Sequence, residues 1–141
     1  MLSYAETVSQ VTHLFCADPF YRRRSMFILA NAVLPAIKYG KYLVDEAEGR
    51  IRGFVSYALL TYDEAAQNLW DGDEVSRRDS ADVVCLTQFV FDGPRRDMVA
   101  FVRRVQRELS KLFPTFKAAH ADRVRPDGSK RPAIMYRKDE Q

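Results

Sequence analysis

Residues 83–112 constrain the fold more than any other stretch of the chain. Val83–Phe91 is a run of mostly apolar residues rich in β-formers, interrupted only by Thr87 and Gln88. Such a run suits a central strand covered on both faces. Asp92-Gly93-Pro94 ends it. Residues 95–112 then follow an amphipathic helical period, with Met98, Phe101, Val102, Val105, Leu109 and Leu112 on one side and arginines on the other. A buried strand running straight into a long one-faced helix calls for a layered α/β arrangement.

The flanking sequence fills in the layers. Residues 3–16 read as a helix with Val8, Val11, Leu14 and Phe15 on one side, and Asp18-Pro19 breaks it. A second apolar helix is expected over 25–38, with Leu29, Val33 and Ile37 at four-residue spacing and Pro35 kinking it or loosening its last turns. Residues 41–45 read as a short strand and Glu48-Gly49-Arg50 as a turn. Residues 51–60 form a strand with Ile51, Val55, Tyr57 and Leu59 on one face. Thr61 and Glu64 have capping-box spacing, opening a helix over about 62–70. Residues 71–81 are polar and read as loop. Two late strands are expected over 116–121 and 133–137, joined by a turn at Pro126-Asp127-Gly128. The order α-α-β-β-α-β-α-β-β gives an α/β (α+β) fold, a mixed central sheet flanked by helices. A length of 141 residues fits one domain spanning 1–141. This element order is similar to that of the GNAT-like acyltransferase fold, in which the central strand runs into a helix whose N-terminus holds a pyrophosphate.

Charge is unevenly spread behind a formal net of +3. Residues 44–82 carry ten acids and four bases, whereas residues 95–138 carry thirteen bases and four acids. The basic half is either a solvated helix with a basic tail or a surface for an anionic partner: a phosphate-bearing cofactor, an acidic carrier protein or nucleic acid. Nucleic acid is disfavoured, since no helix-turn-helix, zinc-finger or ribonucleoprotein motif is visible. Cys16 and Cys85 lie among apolar neighbours and read as buried free thiols, too few for a disulfide framework or a zinc site. That usage fits a reducing compartment. The longest uncharged run, residues 25–37, has 13 residues and contains Pro35, short of the roughly 20 a spanning helix needs. The N-terminus has no basic patch followed by an apolar stretch. A cytoplasmic protein is expected.

Two stretches go beyond element order. One is Asp18-Pro19-Phe20-Tyr21-Arg22 followed by Leu29-Ala30-Asn31-Ala32-Val33-Leu34-Pro35-Ala36-Ile37. The other is Gly40-Lys41-Tyr42-Leu43 followed by Gly53-Phe54-Val55-Ser56-Tyr57-Ala58-Leu59-Leu60. Together these resemble the RTX-toxin-activating lysine acyltransferases, the hemolysin-activating family, over roughly half the chain. The resemblance implies transfer of a fatty acyl group from acyl carrier protein to the ε-amine of lysines in a protein acceptor, and pairing as dimers, for which exposed apolar residues of 25–38 could serve. Its departures bear directly on chemistry. The family's essential histidine falls at Tyr21 and its essential aspartate at Thr87. Its Pro-Phe-Gly turn becomes Phe91-Asp92-Gly93, and its tryptophan-containing polar loop is not recognisable in 71–81.

A lysine amine, with a reference pKa of roughly 10.4, must lose a proton before it can attack. A histidine is a suitable base because its pKa lies near 7. Tyrosine is a poor base but can protonate a leaving thiolate, and threonine cannot replace a carboxylate. Tyr21 and Thr87 therefore predict slow transfer or none, unless positioning of donor and amine supplies the rate. His13 reads as a partly buried helix residue, and His120, near Asp122, as a structural histidine rather than one approaching a groove; Cys85 reads as a buried inert thiol, because no cationic partner adjoins it in sequence. No metal-ligand spacing and no Walker-type loop is present.

The remaining candidate is the turn Asp92-Gly93-Pro94-Arg95-Arg96. Glycine allows close backbone approach, proline suits a helix start, and the free N–H groups with Arg95 and Arg96 form an anion cradle. It would take the phosphates of coenzyme A or of a carrier's phosphopantetheine; the carboxylate of Asp92 opposes this. The alternative is a plain strand-to-helix turn. Arg22-Arg23-Arg24 is a second basic cluster, beside the Tyr21 position. Two functions remain open. One is a divergent acyltransferase using acyl carrier protein or acyl-CoA. The other is an inactive protein of this fold, of phage or mobile-element type, that binds and modulates a host metabolic enzyme in the host cytoplasm.

Overall fold

A computed structural model describes residues 2–19, 21–23, 29–67, 69–113, 118–124 and 130–136. Helix α1 (Tyr4–Ala17) opens on a capping box: the Ser3 hydroxyl accepts from the Glu6 N–H at 3.1 Å, and the Glu6 carboxylate accepts from the Ser3 N–H at 3.4 Å. Val11, Leu14 and Phe15 are its buried apolar side. A single 3-10 turn follows at Tyr21–Arg23.

The apolar helix expected over 25–38 is not one regular helix in its described part. Leu29–Val33 is a π-helical turn, and regular winding resumes only in α2 (Leu34–Lys38). Pro35 accounts for the change: it has no N–H for the carbonyl of Asn31, four residues back, so the α-helical ladder is interrupted there. Leu29, Val33 and Ile37 are all buried. Those three side chains lie in the core; Met26, Phe27 and Ile28, also apolar residues of the segment, fall outside the described residues.

Strands β1 (Tyr42–Ala47) and β2 (Arg50–Leu60) form a hairpin. Its two-residue turn, Glu48-Gly49, has positive φ at both positions, 56° and 76°, the geometry that matches strand twist. After β2 come two short helices, α3 (Tyr62–Gln67) and α4 (Gly72–Ser76). The first carries the expected capping box between Thr61 and Glu64. The second lies where a loop is expected. Asp71 caps it by accepting from the Glu74 N–H at 2.9 Å, and Val75 is its only large apolar anchor in the core. One buried valine in a polar stretch leaves too weak a period to read.

Strand β3 (Val83–Phe91) is the middle of a five-stranded sheet ordered β1-β2-β3-β4-β5. It runs through the 92–94 turn into α5 (Arg95–Leu112). Strands β4 (Ala118–Val124) and β5 (Lys130–Tyr136) complete the sheet, shifted from the expected bounds; the Pro126–Gly128 turn falls outside the described residues. Every neighbouring pair is antiparallel except β3 and β4.

Helices cover both faces of the sheet. α1, the π turn and α2 pack on Ile51, Phe54 and Val90. On the opposite face, α5 packs Phe101, Val105 and Leu109 against Val55, Tyr57, Leu59 and Val84. Ile51 was expected to face with Val55, yet it lies on the α1 side. The register steps from Asp45↔Gly53 to Glu46↔Ile51, which makes Arg52 an extra residue in β2. One bulged residue reverses the facing of everything beyond it. A second bulge, at Thr87, steps Tyr57↔Leu86 to Ser56↔Gln88. It turns Phe89 and Phe91 to the α5 side, where they lie 5.9 and 6.0 Å from the Phe101 ring.

Three further expectations fail for local reasons. Cys85 is buried, but Cys16 is exposed, being one position past the buried Leu14-Phe15 pair of α1. His13 is exposed on the same helix. Leu112 is 55% exposed, at the last residue of α5.

Candidate functional site

The parallel ladder between β3 and β4 pairs Val83 to Leu86 with Ala118 to Ala121 and then stops. Both strands continue, β3 to Phe91 and β4 to Val124. The second half of β3 thus has β2 on one side and, among the described residues, no strand hydrogen-bonded on the other. The break coincides with the Thr87 bulge.

Strand alternation fixes which backbone groups face that open side. The Asp92 N–H donates to the Arg52 carbonyl at 2.7 Å, toward β2. Val90 therefore also faces β2, and the N–H groups of Phe89 and Phe91 face away from it. The Phe89 N–H donates to the Tyr21 hydroxyl at 3.4 Å. The Tyr21 ring stands edge-on to Phe15, 4.5 Å between centroids, and its N–H donates to Asp18 Oδ1 at 3.3 Å.

Thr87 lies two residues before Phe89. Its hydroxyl is 2.7 Å from that of Ser56, a fully buried β2 residue whose register partner is Gln88, next to Thr87. The fold therefore brings Tyr21 and Thr87 to the same stretch of β3, although 65 residues of chain separate them. Neither side chain is a carboxylate or an imidazole, and both hydroxyls are engaged within the protein. Ser56 and the Phe89 backbone went unnoticed in the sequence. Ser56 lies in a quoted motif, but only the strand register reveals that it faces Thr87.

The other candidates cluster at the β3–α5 turn. Asp92, Gly93, Arg95 and Arg96 are all exposed. A Cβ on Gly93 would lie 2.8 Å from the Phe91 ring, so glycine is the residue that lets the turn close over that side chain. Pro94 is the N-cap and its carbonyl accepts from both Asp97 and Met98, leaving the earlier N–H groups of Arg95 and Arg96 without intrahelical partners. The Arg96 side chain is 92% exposed, 3.8 Å from Asp97. The charge of Asp97 is directed elsewhere: Arg52 donates to it at 3.0 Å and to Asp45 at 2.6 Å. Those carboxylates, the Asp45 hydrogen bond foremost, raise the Arg52 pKa above its ordinary value. Arg104 adds an ion pair to Asp45 at 3.5 Å and donates to the Val44 carbonyl. This network fixes the start of α5 to β1 and β2, so the turn is held on a braced frame. The sequence did not reveal it, because its partners are 45 and 59 residues apart. Of Arg22-Arg23-Arg24, Arg22 is exposed.

No family model matches this chain, and no curated protein matches it. Among solved structures, it is similar to the GphF GNAT-like decarboxylase in complex with isobutyryl-CoA, with a TM-score of 0.65 at 14% identity. The match covers 89% of this chain and 65% of that one, so this chain spans about two thirds of the length of its structural neighbour. The fold is GNAT-like, a mixed α/β sheet between helices. Among the described residues no helix is long and apolar enough to cross a membrane.

Proposed function

We propose that the chain forms one acyltransferase-like domain that binds an acyl-pantetheine, as acyl-CoA or acyl carrier protein, and passes its acyl group to an amine. The observation that carries this reading is the early end of the β3–β4 ladder. It leaves the Phe89 and Phe91 N–H groups on the side of β3 away from β2, in the half of the strand that leads into the 92–96 turn. From Thr87 to Asp92 is five strand residues, about 17 Å, a span that an extended pantetheine arm can follow. Its phosphates would meet the N–H groups of Arg95 and Arg96 and their side chains. The structural neighbour, bound to isobutyryl-CoA, supports the choice of donor.

The family resemblance supplies the acceptor, a protein lysine. In the reaction its neutral nitrogen attacks the thioester carbonyl, the carbon–sulfur bond breaks, the nitrogen sheds one proton to solvent water, and the leaving thiolate takes one up. Tyr21 can donate that proton, but neither Tyr21 nor Thr87 is suited to take one from the amine. Transfer is therefore weak or redirected relative to the toxin-activating enzymes, and positioning supplies most of the rate. The basic outer side of α5 suits an acidic carrier.

A second reading has its own observation. The Thr87 and Tyr21 hydroxyls are both tied into the protein, one to Ser56 and one to the Phe89 N–H. That favours an inactive member of the fold that binds a cellular enzyme in the cytoplasm and changes its activity. Incubation with labelled acyl-CoA or acyl carrier protein and cell extract separates the two. Acylated protein detected by mass spectrometry, lost in Arg95→Glu/Arg96→Glu and increased in Tyr21→His, supports transfer. No turnover, together with one stoichiometric partner on pull-down, supports the second reading.

A further inference from the structure

The Phe89 N–H is a backbone donor on the open side of β3, and a side chain from outside the sheet has taken it. Tyr21 reaches it from the α1 side of the sheet, with its ring against Phe15 and its own N–H on Asp18. In this contact the hydroxyl oxygen is the acceptor, the role a carbonyl oxygen of a bound ligand would play. The bond measures 3.4 Å, long for N–H···O geometry, where about 2.9 Å is usual. A contact this long satisfies the donor in the empty protein and is readily given up to a better acceptor. Two acceptors cannot both hold one N–H well.

We propose that Tyr21 is a place-holder: its hydroxyl occupies the Phe89 N–H in the free protein, and a carbonyl of the acyl-pantetheine ligand displaces it on binding. This inference rests on the acyl-pantetheine reading above. It assigns Tyr21 a regulatory role at the site, apart from any proton transfer. Binding then proceeds by exchange of one acceptor for another, and the affinity of the site is set partly by the hydroxyl it must displace.

Tyr21→Phe removes the hydroxyl and keeps the ring packed on Phe15. The test compares the unaltered protein and this variant by titration calorimetry with acetyl-CoA, and by hydrogen exchange of the Phe89 amide. The expected result is faster exchange at Phe89 in the free variant and affinity for acetyl-CoA increased about 2- to 3-fold, the lower end of what one neutral hydrogen bond is worth, as suits a contact this long. A purely structural tyrosine would change exchange and leave affinity alone. Unchanged or weaker binding by the variant, with measurable binding by the unaltered protein, overturns the place-holder and leaves the acyl-pantetheine reading intact. Binding by neither protein overturns both.

Discussion

The Thr87 hydroxyl lies 2.7 Å from the hydroxyl of Ser56, across the centre of the sheet and at the point where β3 bulges. Ser56 is fully buried and Thr87 partly so, so the contact satisfies a Ser56 hydroxyl that water cannot reach. Thr87→Val and Ser56→Ala should each cost about 1 kcal/mol, and the double variant should recover part of the loss, with a coupling of about 1 kcal/mol. Urea unfolding of the four proteins measures it. Strict additivity would show that the hydroxyls do not depend on one another.

Gly72 begins α4 against the backbone of the π turn. A Cβ there would fall 1.6 Å from the carbonyl oxygen of Asn31, a group that no side-chain rotation can move aside. Gly72→Ala should therefore destabilise the protein by about 3 kcal/mol, far more than an exposed glycine replacement would. A thermal midpoint within a degree or two of the parent would contradict this packing.

Glu64 binds Arg78 through both carboxylate oxygens, one at 2.9 Å and the other in closer contact, and Arg78 also donates to the Leu59 carbonyl. The Arg78 hydrogen bond foremost lowers the Glu64 pKa from 4.5 to about 2. The pair's contribution is therefore complete above pH 4.5 and is lost as pH falls through about 2. Glu64→Gln should cost about 1 kcal/mol at pH 7, a modest figure because the pair is solvent-screened. The difference between variant and parent should shrink steadily between pH 4.5 and pH 2. A difference independent of pH would remove the ion pair as its cause.

Arg95 and Arg96 are exposed at the start of α5, and their side chains brace nothing in the core. Arg95→Glu/Arg96→Glu should leave stability within about 0.5 kcal/mol of the parent while lowering affinity for coenzyme A at least tenfold. The loss should be greatest at low salt. Equal affinity of both proteins in a titration would detach the turn from the phosphate-binding role.

The layers were legible because their signals are local. The period of 95–112, the mostly apolar run of β3, and the capping residues Thr61 and Glu64 each report on neighbours a few residues away. The α4 helix was missed because five residues with one buried valine carry no period. The facing of Ile51 was missed because a bulge at Arg52 depends on the register of the partner strand. Of the site, the 92–96 turn could be read directly from glycine, proline and paired arginines, whereas the Ser56–Thr87 and Tyr21–Phe89 contacts could not.

By itself the sequence determined most of the segments that coil and extend, α4 and the π turn excepted, and that the residues at 21 and 87 lack a base and a carboxylate. These follow from side-chain chemistry and short-range spacing. Only the tertiary structure decided where the parallel ladder stops, which way the β3 amides point, and that Tyr21 takes one of them. Those depend on strand register and on contacts between groups far apart in the chain, where a shift of a single residue exchanges one face of a strand for the other.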